Sequence, residues 1–469
     1  MESHVRKTKI ICTIGPVTES YDMLKKMAEA GMDVVRLNMS HGDHASHEKV
    51  IKAIKTLNKE LAHPIPLLLD TQGPEIRTGT LKNDLELKQG DVITVSVRVD
   101  DVESSSLQIN YHDLINDVQI GDKITVDNGI INLEVLEKME RTMRCKVLDG
   151  GRLKSKRHVN LPGIRVNLPA ITAKDREDIL FGMKQEVDFI ALSFVREAED
   201  IRGLRKLLGS KADKIKIIAK IEDQEGVKNI EEIVAEADGV MVARGDLGVE
   251  INIEDLPNVQ RMIVRLCHEQ GKRVIVATHL LESMIENPIP TRAEVTDVSN
   301  AVYEEVDAIM LSGETTVGKY PIKCVEYMDR ISRTSERAPG LRFCNGLIRK
   351  NNKQHLAASA VELAESMGAS GIVVITRRGV MANFVTNCRP SKTTIFAFTN
   401  DSRTRRQMRL NRAVVSHRLA FSSDPEKSLL AAFEILKHED GLVAGDQVVV
   451  ISDIISGLGV DAIQIRSIP

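Results

Sequence analysis

The sequence predicts an α/β protein: a closed (β/α)8 barrel, interrupted by a small all-β domain and followed by an open-sheet α/β domain. Three observations predict it. Eight short β-branched runs alternate with helical patterns, one long break in that rhythm carries antiparallel-strand periodicity, and a shorter α/β rhythm resumes after about residue 340.

The eight runs are TKIICTIG (8–15), DVVRLNMS (33–40), PIPLLLDT (64–71), DFIALSFV (188–195), KIKIIAKIE (214–222), GVMVARGD (239–246), RVIVATHL (273–280) and AIMLSGET (308–315). Nearly continuous apolar strands separated by amphipathic helices, such as 253–270, are the pattern of parallel strands covered on both faces. Eight units predict a closed barrel, with an open sheet the alternative that counting leaves. Roughly a hundred residues separate the third and fourth runs, and there DVITVSV (91–97), KITVDNGIINLEVLEK (123–138) and MRCKVLDG (143–150) alternate with turn residues. An all-β domain is therefore expected inside one barrel loop. Beyond it, a helix at 355–368, GIVVIT (371–376), TTIFAFT (393–399), a helix at 427–441, QVVVISD (447–453) and AIQIRSI (462–468) are too few for a second barrel. The expected division is 1–73 with 170–341 for the barrel, 74–169 for the insert and 342–469 for the C-terminal domain.

Composition narrows the function. The 469 residues hold 64 basic and 67 acidic side chains, a net charge of −3 that predicts neither nucleic-acid nor membrane attraction. Trp is absent and Tyr numbers 5, so stacking platforms for single strands are scarce. The six cysteines form no CxxC pair, which reads as buried thiols in a reducing cytoplasm. Neither an apolar leader nor an apolar stretch of ~18 residues is present, so a soluble intracellular protein is expected.

Barrel strands should be apolar, yet their C-terminal ends carry Arg36, Asn38 and Ser40; Asp70 and Thr71; Ser193; Lys220 and Glu222; Arg244 and Asp246; Thr278; Ser312 and Glu314. In a barrel these converge on one mouth, where unpaired charges cost several kcal/mol each unless a ligand, metal or partner meets them. Glu222 and Asp246, on adjacent strands, suit a hard ion such as Mg2+ or Mn2+. Lys220 shares Glu222's inward face by strand alternation and, with Arg36, offers a positive pocket to phosphoryl or carboxylate oxygens. A Lys–carboxylate pair closing the mouth is the structural alternative. Thr278 and Ser312 add hydroxyls able to relay a proton. Gly313 to Tyr320 matches GxxxxGK but has Tyr320 in place of the Mg2+-binding hydroxyl, and Gly457 to Ala462 leaves no room for a dinucleotide fold, so both motifs are set aside. Arg403, Arg405, Arg406, Arg409 and Arg412 are expected to form a solvated helix face, with an anion or nucleic-acid patch the alternative.

The segments TKIICTIGP (8–16), RLNMSHG (36–42), LDTQGPEIRTG (69–79), KIEDQEG (220–226), MVARGDLGVE (241–250), PTRAE (290–294) and MLSGETTVGKYP (310–321) resemble those of the pyruvate kinase family, in order and along essentially the whole chain. The resemblance implies a TIM barrel with a mobile β-barrel lid, a C-terminal regulatory domain, and phosphoryl transfer from phosphoenolpyruvate to ADP in glycolysis, usually in a homotetramer. It implies that Lys220 stabilises the transferring phosphoryl group, that Glu222 and Asp246 hold Mg2+, and that Thr278, supported by Ser312, protonates the enolate carbon. Arg36 then contacts phosphate, Arg77, Lys174 and Asn38 lie on the nucleotide side, and Gly245 lets backbone N–H groups approach the substrate carboxylate beside Asp246. Asn38, Ser40, Asp70 and Thr71 resemble a K+ site, and Glu75 stands where potassium-dependent members carry Glu.

Departures bear on regulation. Thr278 is followed by His279 and Leu280 where Gln and Met are usual, and Asp127-Asn128-Gly129 replaces a common Asp-Asp-Gly. Thr376 to Met381 departs from a phosphate cradle rich in Ser and Thr, and Ser456 to Val460 lacks the usual Thr-Asn run. Fructose 1,6-bisphosphate control is therefore not expected, whereas Arg377, Arg378 and Arg389 leave another anionic effector open. Two rival readings of the chain are a metal-dependent lyase or aldolase acting through a pyruvate enolate, and an inactive metabolite sensor.

Overall fold

The computed structural model describes residues 5–97, 106–164, 166, 168–452 and 462–469; the Ser456 to Val460 segment lies outside them. Eight parallel strands close into a barrel: β1 (Lys9–Thr13), β2 (Val34–Asn38), β3 (Leu67–Asp70), β4 (Phe189–Leu192), β5 (Lys216–Ile221), β6 (Gly239–Ala243), β7 (Arg273–Ala277) and β8 (Ala308–Leu311). The ring is sealed where Lys9 of β1 pairs with Ala308 of β8. Strand alternation sends Ile11, Leu68, Ala191, Ile218, Met241 and Met310 into one buried cluster, and Ile10, Cys12, Leu69, Ile190, Val240 and Ile309 into another that the helices cover. The helix Leu256–Gln270 shows how local sequence sets such a cover. Pro257 opens it, Ile263, Val264 and Cys267 are buried, and Gly271 ends it in the left-handed region at φ 68°.

Every second barrel strand is preceded by an aspartate, buried at Asp33, Asp188 and Asp307 and half-buried at Asp238. Each takes a backbone N–H of the strand before it, from Ile10 (2.9 Å), Leu67 (3.0 Å), Ile217 (2.9 Å) and Val274 (3.0 Å). These carboxylates fix the register of neighbouring strands at the N-terminal floor of the barrel.

The insert forms a six-stranded sheet in the spatial order 159–160, 123–126, 131–138, 142–149, 92–96, 106–108, with a two-stranded ribbon of 85–87 and 151–153. Residues 77–78 bridge its two edges, Arg77 to His158 beside 159–160 and Thr78 to Ile109 beside 106–108, which curls the sheet into the expected small barrel. Its core, which includes Val95, Leu107, Ile124, Leu133 and Cys145, is separate from that of the barrel.

The C-terminal domain is a five-stranded sheet with four parallel strands and an antiparallel edge at Ala462–Ser467. One strand, Val414–Arg418, escapes the sequence reading because it follows directly on the arginine-rich segment.

Those arginines correct the expectation of a solvated face. Arg409 pairs with Asp33 (2.7 Å), Arg406 with Asp188 (3.0 Å), and Arg412 donates its backbone N–H to Asp307 (3.2 Å). Arg403 reaches the carbonyl of Lys214 (3.3 Å) and Arg405 that of Ala62. Each finds a carboxylate or carbonyl more than a hundred residues away, which no local pattern encodes. Between them Leu410, fully buried, enters the cluster inside the barrel. The C-terminal domain thus stoppers the barrel floor with one leucine ringed by Arg–Asp pairs. Among the described residues no helix is long and apolar enough to cross a membrane.

Candidate active site

The mouth opposite that floor gathers the polar strand ends. Alternation carries the inward column of β5 from Ile218 to Lys220 and on to Glu222, so the period that builds the core also delivers the charges. Lys220 lies at the centre, 2.9 Å from Asp70, 3.0 Å from Glu222 and 2.6 Å from the Ser193 hydroxyl. Asp70 also takes Arg36 (2.6 Å), whose other nitrogen donates to Thr13 (2.9 Å). Burial alone would lower the Lys220 pKa, but the charges of Asp70 and Glu222 outweigh it and hold the ammonium protonated.

Glu222 also accepts the Phe194 N–H at 2.7 Å, from a residue whose φ of 50° lies in the left-handed region. Its carboxyl is held above the ordinary range, first by burial and then by the charges of Asp246 and Asp70, with Lys220 opposing. Asp246 makes no side-chain hydrogen bond or ion pair among the described residues, where no three His, Cys, Asp or Glu gather closely enough to hold a metal alone. Two hard carboxylates, one destabilised in its ionised form, fit a divalent cation that takes its remaining ligands from substrate and water.

Thr278 follows β7 at φ 69°, a strained value for a β-branched residue. Arg244 holds that turn, pairing with Asp297 through two bonds (2.6 and 2.7 Å) and donating to the Thr278 carbonyl (2.8 Å). The Thr278 hydroxyl accepts the Gly245 N–H (2.7 Å) and donates to the Ala277 carbonyl (2.6 Å). Neither Gly245 nor Ser312 meets its expected partner in this conformation. The Gly245 N–H is engaged by the threonine, so in this conformation it positions Thr278 and is not a free donor. Ser312 is not bonded to Thr278; its buried hydroxyl has no partner among the described residues, and its backbone N–H goes to Glu314 (2.7 Å).

The residues expected to hold K+ lie on or just beyond β2 and β3. Asn38 pairs in register with Asp70, and its side chain accepts the Ser40 N–H (3.2 Å). Thr71 accepts the Ser193 N–H (3.0 Å) while its carbonyl accepts the Ser193 hydroxyl (2.7 Å). Lys174 joins them by donating to the Met39 carbonyl (2.6 Å) and pairing with Asp178 (2.7 Å). Glu75 and Arg77 pair at 2.7 Å where the chain enters the insert.

Arg377 and Arg378 are exposed on the C-terminal domain. Arg389 is not available to an effector: it is buried and spends both terminal nitrogens on Asp307 (2.8 and 2.7 Å). Asp297, Phe194 and Glu250 escaped the sequence reading. Asp297 lies mid-helix and Phe194 is apolar, so neither carries a local sign; the φ values at 194 and 278 exist only in the fold.

A model of the pyruvate kinase barrel domain matches residues 5–325, and one of the pyruvate kinase alpha/beta domain matches 354–465. The chain is 43% identical over 450 residues to the pyruvate kinase isozyme G, chloroplastic, of Nicotiana tabacum, covering 95% of this chain and 80% of that one. It is 41% identical over 456 residues to the pyruvate kinase of Clostridium perfringens, covering 95% and 96%. Against the pyruvate kinase of Geobacillus stearothermophilus the figures are 43% over 453 residues, 95% and 77%. The chain belongs to the pyruvate kinase family.

Proposed function

We propose that the chain is a pyruvate kinase, transferring the phosphoryl group of phosphoenolpyruvate to ADP to give pyruvate and ATP. The observation that carries the reading is the mouth: a buried, protonated Lys220 beside Arg36 and two carboxylates suited to a divalent cation. Phosphoryl transfer asks a protein for positioning and charge neutralisation rather than covalent chemistry. Lys220 and Arg36 bind the phosphoryl oxygens and neutralise charge as it spreads over them. Glu222 and Asp246 would hold Mg2+, which when bound supplies further neutralisation at those oxygens. Asn38, Ser40, Asp70 and Thr71 would hold K+, with Glu75 supporting the dependence. Once the phosphoryl group has left, the enolate carbon takes a proton, and the Thr278 hydroxyl, on a turn held by Arg244 and the Gly245 N–H, would turn from the Ala277 carbonyl to deliver it. Arg77, Lys174 and Asn38 serve the nucleotide.

An anionic effector would meet Arg377 and Arg378, and the working assembly is a homotetramer in the cytoplasm. The test couples pyruvate formation to lactate dehydrogenase and NADH, omitting ADP, Mg2+ and K+ in turn. Turnover that needs ADP and Mg2+ and rises with K+ is expected. Pyruvate enolate exchange without ADP dependence would favour a lyase instead.

A further inference from the structure

The insert returns to the barrel after residue 158, and the described residues of that return are fastened to loops at the barrel mouth. Asn160, buried, donates its side-chain amide to Glu250 (2.8 Å) beyond β6. Arg196, beyond β4, donates to the carbonyls of Val166 (3.0 Å) and Leu168 (2.9 Å) and is braced by Asp223 (3.1 Å). His158 stacks on Phe194 with ring centroids 6.4 Å apart and bonds Asn160 (3.2 Å). Phe194 is the residue whose N–H holds Glu222. These ties border a cavity of about 390 Å³, with Ile76, Leu161 and Ile164 on the insert's side and Arg196, Asp223 and Glu250 on the barrel's.

We propose that the Asn160–Glu250 bond and the Arg196 clamp form a latch that sets the angle of the lid over the mouth, making Asn160, Glu250 and Arg196 positioning residues for the nucleotide side. The geometry supplies the reason. Arg77 rides on the lid, bonded to the Lys156 carbonyl (3.0 Å) and the Asn110 side chain (2.8 Å), whereas Arg36, Lys220 and Thr278 belong to the barrel. A loosened latch moves the first and leaves the others. Burial raises the Glu250 pKa to about 7, so a bond to an amide, which serves either protonation state, suits it.

The effect on turnover rests on the kinase reading. Asn160→Ala removes the lid end of the tie, and Glu250→Gln keeps an acceptor oxygen for the Asn160 amide. In Asn160→Ala, KM for ADP is expected to rise about tenfold with KM for phosphoenolpyruvate within twofold, and Glu250→Gln to stay within about threefold of wild type on both. Hydrogen–deuterium exchange of the full chain without substrates is read beside it, and amides at 76–79 and 156–160 should exchange about tenfold faster in Asn160→Ala. Unchanged exchange overturns the latch, as does faster exchange with both Michaelis constants unchanged, or both constants moving in parallel with the melting temperature. If wild type itself shows no turnover, the kinase reading fails and exchange alone decides the latch.

Discussion

Replacing Lys220 with Met should be felt twice, in turnover and in stability. The ammonium binds two buried carboxylates, at 2.9 and 3.0 Å, and their losses are unequal. Asp70 keeps Arg36 at 2.6 Å, whereas Glu222 keeps only the Phe194 N–H at 2.7 Å while facing Asp246. Stripping one partner from a buried pair costs about 3–5 kcal/mol, and Asp70's second partner places this case near 3. The variant avoids part of that cost by protonating Glu222. Its folded pKa is then further above the unfolded value, so the variant binds a proton on folding and its stability rises as pH falls, by up to about 1.4 kcal/mol per pH unit. Urea titrations of Lys220→Met and wild type at pH 6, 7 and 8, without added metal, measure this directly, and turnover at each pH should fall by at least about a hundredfold. A stability difference that is flat from pH 6 to 8 would refute the assignment of the loss to Glu222, and undiminished turnover would remove Lys220 from the chemistry.

Glu75→Lys breaks the 2.7 Å pair with Arg77 and should weaken K+ activation, read as turnover with and without K+; an unaltered response contradicts the assignment. Asp297→Asn removes the charge that holds Arg244 on the Thr278 turn, so kcat should drop about tenfold with KM for phosphoenolpyruvate little changed. Asp33 and Asp307 would be pushed up by burial, but their arginines outweigh it and hold both below the usual carboxylate range. Their contribution is therefore complete above the unfolded value of about 4 and lost only as pH falls through the lower folded values, so these pairs lose nothing between pH 7 and 5; the fall expected there by urea titration comes from His63 and His268, which burial and the neighbouring arginines hold neutral in the folded chain. Burial pushes the Cys145, Cys267 and Cys324 thiols up to about 12, so a thiol reagent at pH 8 should reach none of them before unfolding.

What could be read in advance follows from the range of the signal. Each barrel strand announces itself within eight or nine residues, and its last polar residue stands on the face its alternation dictates; Lys220 and Glu222 were legible for that reason. Partnerships across the fold were not. Arg389 reads as a free cation until Asp307 appears beside it, and Arg406 and Arg409 read as surface until the floor carboxylates do. The aspartates recur before every second strand, a period of whole βα units that a search of short windows passes over. Phe194 was unreadable in another way, because its part is played by a backbone N–H made available at φ 50°.

Leu410 gives the two ends of the chain a shared obligation. A barrel built from residues 5–325 alone would begin with an open drain at its floor, with Asp33, Asp188 and Asp307 stripped of Arg409, Arg406 and Arg389. The opening strand is party to the same seal, since Lys9 donates to the Val414 carbonyl at 2.8 Å and Lys7 reaches that of Ser391. A ribosome that has finished the eighth strand has therefore not yet made a watertight enzyme. Chains cut short before Arg389 should be cleared or aggregate rather than work unregulated.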